Sequence, residues 1–147
     1  MIRLRNLDLR TDGMKEFNTV ALGDITATRT HQVFVAPVAC VVNYVDIFSN
    51  EANPPAGTTA STTNMSATLV AIINGTATTM QTRGTSATAV TTNSISANAR
   101  WRLIPSAGNS LTQGTPVRIA FTIAASGTLS GTIVSVTYTP LIHRETR

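Results

Sequence analysis

The side chains able to do chemistry in this 147-residue chain are few and widely separated. His31 and His143 are the only imidazoles, and neither has a carboxylate cluster beside it, so the spacing offers no His/carboxylate metal site. Cys40 stands alone, which excludes an intrachain disulfide and a thiolate zinc site. Lying in the apolar run 38–42, it reads as a small buried hydrophobe. Asp46 and Glu51 fall close together but without the Asp-rich loop that calcium takes. From Ala52 to Arg144 there is no Asp, Glu or Lys at all, and the only formal charges are Arg83, Arg100, Arg102, Arg118 and Arg144. Paired carboxylates for acid–base work and a lysine for Schiff-base chemistry have no material there. No nucleophile elbow, phosphate loop or dinucleotide fingerprint occurs. The expectation is a protein that is not an enzyme and holds no cofactor or metal.

Arginine is what remains. Arg100 and Arg102 flank Trp101, and alternation turns them outward while Trp101 and Leu103 turn inward. Arg118 lies outward on another alternating segment. If the loop 105–116 joins neighbouring strands, Arg100, Arg102 and Arg118 form a small basic patch, with Arg83 nearby. Such a patch suits an acidic protein surface, a glycan acid or a phosphate. The plain alternative is that a nearly uncharged surface needs a few guanidinium groups for solubility. A second set sits at the N-terminus, where Arg3, Leu4, Arg5, Leu7, Leu9 and Arg10 make an edge that mixes arginine with leucine and suits laying the segment on a partner.

Charged residues make up 12% of the chain, about half the usual ~25%. The net charge of +4 comes from a scarcity of acids, and the arginines are scattered rather than interleaved with aromatics, so nucleic acid is not the expected partner. A surface this poor in charge is better tolerated when partners cover much of it, which favours an oligomer or a larger assembly. No apolar stretch is long enough to span a membrane or to act as a secretory signal; synthesis in a cytoplasm, without secretion, is expected.

The elements that must position these residues are strands. Residues 1–29 hold four of the seven acids and the only lysine, and read as an N-terminal arm or accessory segment, with a short helix expected over 12–20 and Gly23 as its stop. Residues 30–147 read as a β-body. Val117, Ile119, Phe121 and Ile123 alternate with polar or small residues, and Val134, Val136 and Tyr138 repeat the pattern. Strands are further expected over 31–36, 39–48, 67–73, 76–82 and 86–92. Asn74-Gly75 is a strong type I′ hairpin signal; residues 125–131 read as the hairpin loop joining the last two strands; and 49–64 reads as a long exposed loop. The segments 39–48 and 67–73 are apolar on both faces, so each is either central or covered by another subunit. About eight strands with short turns predict an all-β, antiparallel two-sheet sandwich, jelly-roll-like.

The run Val33-Phe-Val-Ala-Pro-Val-Ala-Cys-Val-Val-Asn-Tyr-Val-Asp-Ile-Phe-Ser-Asn50, the segment Leu111-Thr-Gln-Gly-Thr-Pro-Val-Arg-Ile-Ala-Phe121 and the closing Gly131-Thr-Ile-Val-Ser-Val-Thr-Tyr-Thr139 resemble the β-sandwich decoration, or cement, proteins and head-fibre domains of tailed-bacteriophage capsids. The resemblance spans residues 33–140. It implies a homotrimer on the outer surface of an icosahedral virion, bound to the major capsid protein, with the N-terminal arm reaching neighbouring capsomers. Two other classes compete: a glycan- or receptor-binding sandwich on a virion or fibre, and a jelly-roll protein that itself forms the shell. Against the first, alternation turns the one Trp inward and the loop 49–64 holds no aromatic; against the second, the arm is thin in arginine for neutralising a genome.

Overall fold

Ten strands build two antiparallel sheets in a computed structural model that describes residues 15–49, 65–84, 100–123 and 128–141, with the backbone alone for 51–53. In chain order the strands are β1 (Glu16–Ile25), β2 (Arg29–Val35), β3 (Cys40–Phe48), β4 (Glu51–Asn53), β5 (Met65–Ile73), β6 (Thr76–Gly84), β7 (Arg100–Leu103), β8 (Ser110–Leu111), β9 (Pro116–Ile123) and β10 (Thr128–Pro140). The first sheet runs β1-β10-β3-β7, with β4 pairing β10 and β8 pairing β3; the second runs β2-β9-β5-β6. Leaving aside the short β4 and β8, this is the strand order of an eight-stranded jelly roll, two sheets packed face to face with Greek-key connections. The all-β two-sheet expectation holds.

The core lies between the sheets and comes from the inward half of each alternation: Val45 and Ile47 of β3, Val134 and Val136 of β10, Leu69 of β5, and Val117, Ile119 and Phe121 of β9 are all buried. Trp101 and Leu103 point inward as read from sequence. Cys40 is buried as well, and burial pushes its thiol up to about 11, so it packs as a hydrophobe. The segments that looked apolar on both faces are central strands: β3 lies between β10 and β7, and β5 lies between β9 and β6.

Local chemistry sets the turns and the parity of the strands. Asn74 (φ 50°) and Gly75 (φ 77°) both occupy the left-handed region that a type I′ turn requires, and they join β5 to β6. A bulge decides which way β3 faces. Thr137 pairs with Tyr44 and Tyr138 with Val42, leaving Asn43 as an extra residue. Because of it Val42 and Val45 both reach the core, and Tyr44, Asp46 and Phe48 all turn to the outside. Asn43 Nδ2 donates to Thr139 Oγ1 at 2.9 Å and steadies the bulge across the ladder.

Three sequence expectations change. Residues 16–25 form strand β1 rather than the C-terminal part of a helix over 12–20, because β1 pairs with β10 without a break from Glu16↔Tyr138 to Ala21↔Ile133 and, past irregularities at Gly23, on to Ile25↔Leu129; local helix preference yields to tertiary pairing. The sheet therefore begins at Glu16, inside the segment read as accessory. The connection before β10 does not close a hairpin, since β9 and β10 belong to different sheets. For the same reason β7 and β9 are not neighbours. The expected strand over 86–92, most of the loop 49–64, His143, and the arm residues Arg3, Leu4, Arg5, Leu7, Leu9 and Arg10 lie outside the described residues.

Candidate assembly interface

The four arginines of the expected patch divide between the sheets. Arg118 stands on β9, on the outer face of the second sheet, opposite Gln32 on one side and Val70 on the other. Arg100 and Arg102 stand on β7 in the first sheet. Arg83, from the end of β6, reaches across the open side of the sandwich, where its Nη1 donates to the Arg102 carbonyl at 2.8 Å and its guanidinium carbon lies 6.0 Å from the centre of the Trp101 ring. Arg83, Arg100 and Arg102 thus gather; Arg118 does not.

The gathered arginines are not a bare cationic patch. Asp46 lies directly opposite Arg102 across the β3–β7 ladder. Arg102 Nε donates to Asp46 Oδ1 and Nη2 to Oδ2, both at 2.7 Å, a bidentate fork. These hydrogen bonds push the Arg102 pKa above its already high ordinary value. The same guanidinium lies 3.7 Å from the Tyr44 ring centre, stacked on the aromatic face. Arg100 Nε approaches Asp46 Oδ1 only to 3.9 Å, and its side chain is 54% exposed.

Around this fork the registers lay out three rows of the outer face of the first sheet, since residues directly opposite in adjacent strands share a face. One row reads Phe17, Thr137, Tyr44. The next reads Thr19, Ser135, Asp46, Arg102, and the third Ala21, Ile133, Phe48, Arg100. Phe17 is 75% exposed, Ile133 40% and Phe48 36%. In the middle row Thr19 Oγ1 donates to Ser135 Oγ at 3.4 Å, and Lys15 places its ammonium 5.8 Å from the Tyr44 ring centre. These rows set the exposed Phe17 on one side of a polar row and Ile133 and Phe48 on the other, and Asp46, the one acid in them, is held by Arg102.

The outer face of the second sheet is chemically different. Its rows read Gln32, Arg118, Val70, Thr79 and Thr30, Ala120, Thr68, Thr82. Thr68 and Thr82 share a hydroxyl–hydroxyl bond of 3.1 Å. Hydroxyls and methyls dominate it, with one arginine and no exposed aromatic among these rows.

Sequence reading found the arginines and missed Phe17, Tyr44, Phe48 and Ile133. The alternation Tyr44, Asp46, Phe48 against Val45 and Ile47 was readable. Its facing was hidden by the Asn43 bulge. Phe17 was masked by the helix expected over its segment. Among the described residues no group of three His, Cys, Asp or Glu is placed to hold a metal.

Strand order and surface define a jelly-roll sandwich with one apolar outer face. No protein-family model matches the chain, and no curated protein matches it. Among solved structures it is similar to a chain of the cyanophage Pam1 capsid asymmetric unit, at 27% identity and a TM-score of 0.41, covering 87% of this chain and 84% of that one. It is also similar to chains from infectious bursal disease virus, in the Gx strain (14% identity, TM-score 0.35) and in the VP2 subviral particle (14% identity, TM-score 0.33). It covers 90% and 87% of itself in those two overlays, and spans only 33% and 38% of their lengths. All three are chains of virus structures, and every one of these overlays is loose.

Proposed function

We propose that this chain is a structural virion protein: a decoration or cement protein that sits as a homotrimer on the outside of an icosahedral phage head and holds capsomer junctions together. The observation that carries the reading is the outer face of the first sheet. Phe17, Ile133 and Phe48 stand exposed on it in a chain whose surface has few charges to keep it soluble. An exposed apolar patch on a rigid sheet marks a protein–protein contact. The resemblance of its strand motifs to those of phage decoration proteins is what suggests the kind of assembly. The physics suits the role, because a subunit that bridges two capsomers in the closed shell but not in the parted one stabilises the closed state by mass action.

The arm residues Arg3, Leu4, Arg5, Leu7, Leu9 and Arg10 enter the proposal as contacts to neighbouring capsomers. Deleting residues 1–10 is expected to abolish head binding while the β-body stays folded; undiminished binding would remove the arm from the proposal.

The central test is co-sedimentation of the purified chain with heads that lack it, together with its mass by light scattering. The proposal expects a trimer of the 15.5 kDa chain that saturates the heads at a fixed stoichiometry and raises their disruption temperature. Absence of binding to such heads would overturn it. The strand order favours one second reading, a shell-forming protein, because jelly rolls also build capsid shells. That reading expects closed particles from the purified chain alone, visible by electron microscopy.

A further inference from the structure

We propose that the outer face of the first sheet docks an acidic, apolar surface of a different protein, with Arg100 as the charge that selects it. The inference rests on the assembly-interface reading and adds the chemistry of the partner. Among the described side chains three cations, Lys15, Arg100 and Arg102, border the face, against one acid, Asp46. Both Asp46 oxygens are taken by Arg102 at 2.7 Å. Arg100, at 3.9 Å from Asp46 and 54% exposed, keeps donors to offer beside the apolar row Ala21, Ile133, Phe48.

A second copy of this chain, with its net charge of +4, is a poor source of the counter-charge. The Glu16 carboxylate accepts from the Tyr138 hydroxyl at 2.7 Å, Asp24 accepts from the Gly131 amide at 2.8 Å, and Asp46 is held by Arg102. Of these three acids only Asp46 is paired with a cation, while Glu16 and Asp24 accept from neutral donors, and two acids are few against a net charge of +4. The second sheet offers hydroxyls and Arg118. A phosphate backbone would answer the cations but would leave Ile133 and Ala21 without apolar partners, so protein fits the face better than nucleic acid. Four strands about 4.8 Å apart, of 10, 13, 9 and 4 residues, present roughly 600 Å², below the ~800 Å² that one partner gives to a standard interface.

The test is an NMR titration of the isotope-labelled full chain with three probes: a short peptide alternating Glu and Leu, the same peptide with Lys for Glu, and single-stranded poly-dT. The Glu/Leu peptide is expected to move the resonances of Phe17, Tyr44, Phe48, Arg100 and Ile133, and to bind more weakly as salt rises. Arg100→Gln is expected to weaken it roughly threefold to tenfold, and Arg100→Glu to abolish it. Arg118→Gln, on the other sheet, is expected to change nothing, and thermal melts of all three variants check that each is folded. Equal binding of the Lys/Leu peptide, shifts confined to the second sheet, or tighter binding of poly-dT at this face would overturn the assignment. Heads that bind the chain while the Glu/Leu peptide does not would leave the virion role standing and remove the acidic partner. The reverse outcome would keep this face's chemistry and remove the virion.

Discussion

Met80→Ala asks whether one side chain holds an edge strand and, through it, the interface. Met80 is the only residue of β6 that is fully buried; the rest of the strand is half-buried or exposed. It reaches the core because of an extra residue in β6, between the pairs Leu69↔Gln81 and Val70↔Thr79. Truncation removes three heavy atoms from water-free surroundings, about 2.5 kcal/mol at ~0.8 kcal/mol per methylene. The space left, roughly 70 Å³, would add about 1.5 kcal/mol if nothing moved. An edge strand can settle inward, so about 3 kcal/mol is expected, a fall in Tm of roughly 10 °C for a domain of this size. Urea unfolding of Met80→Ala beside Met80→Leu measures it, the leucine variant staying within ~1.5 kcal/mol. The damage should also be local. The Met80 carbonyl accepts from the Ser106 amide at 2.9 Å, and Arg83, three residues on, donates to the Arg102 carbonyl. Amide exchange should therefore quicken at Ser106 as well as along β6. A loss below about 1 kcal/mol, or unchanged exchange at Ser106, would refute the idea that Met80 pins β6 and the loop after β7.

Three further outcomes are expected. Tyr138 donates to Glu16 across β1–β10, and burial first, then this bond to the carboxylate, push its phenol up to about 12. An acid whose pKa is raised by folding contributes stability that is whole below its unfolded value near 10 and lost as pH climbs toward 12. Tyr138→Phe should therefore cost about 1 kcal/mol at neutral pH and flatten the alkaline limb of a Tm-versus-pH curve; an alkaline limb like the parent's would contradict the assignment. His31 faces Phe121 edge-on, its Nε2 is buried with no hydrogen-bond partner, and burial together with the nearby Arg29 lowers its pKa from 6.5. The folded state then prefers neutral imidazole, so its contribution is whole above 6.5 and is lost as pH falls below it. Urea midpoints at mildly acidic and neutral pH should converge in His31→Phe, and an equal acid sensitivity in both proteins would count against it. A Cβ at Gly108 (φ +60°) would meet Thr78 Cγ2 at 2.9 Å; Gly108→Ala should cost about 2 kcal/mol. Adding Thr78→Ser should recover the steric part and leave the backbone part, whereas no recovery would place the whole cost in the backbone.

The parts of the fold that read correctly from sequence share one property: their signals are local. Val117, Ile119 and Phe121 alternate without interruption, and Asn74-Gly75 names its own turn, so β9 and the β5–β6 hairpin were legible. What escaped depended on partners distant in sequence. Phe17 and its neighbours have no periodicity that rejects a helix, and only the ladder to Tyr138 and Ile133 makes them a strand. The pairing of Arg102 with Asp46 joins residues brought opposite by sheet order, which alternation does not reveal. The arginines expected together therefore divide, Arg100 and Arg102 on β7 and Arg118 on the other sheet, and Asp46, which sequence offers only as a poor calcium ligand, lies opposite Arg102.

Strand β10 has a consequence for how the molecule is made. It is the last described strand to leave the ribosome, yet it lies inside the first sheet and pairs with β1, β3 and β4. Until it arrives, β1 has no described partner in its own sheet and β3 lacks one flank, so half of the sandwich cannot close before β10 has emerged. Assembly of the first sheet is therefore an event that waits for β10, slow by the long loops it must shut. It is also an all-or-none one: a chain cut short within β10 would present two unpaired edges and an open core, a species for chaperones and proteases rather than a weaker version of the product. The surface spread over β1, β10, β3 and β7 therefore exists only on chains in which β10 has paired, and any docking that uses it samples those chains alone.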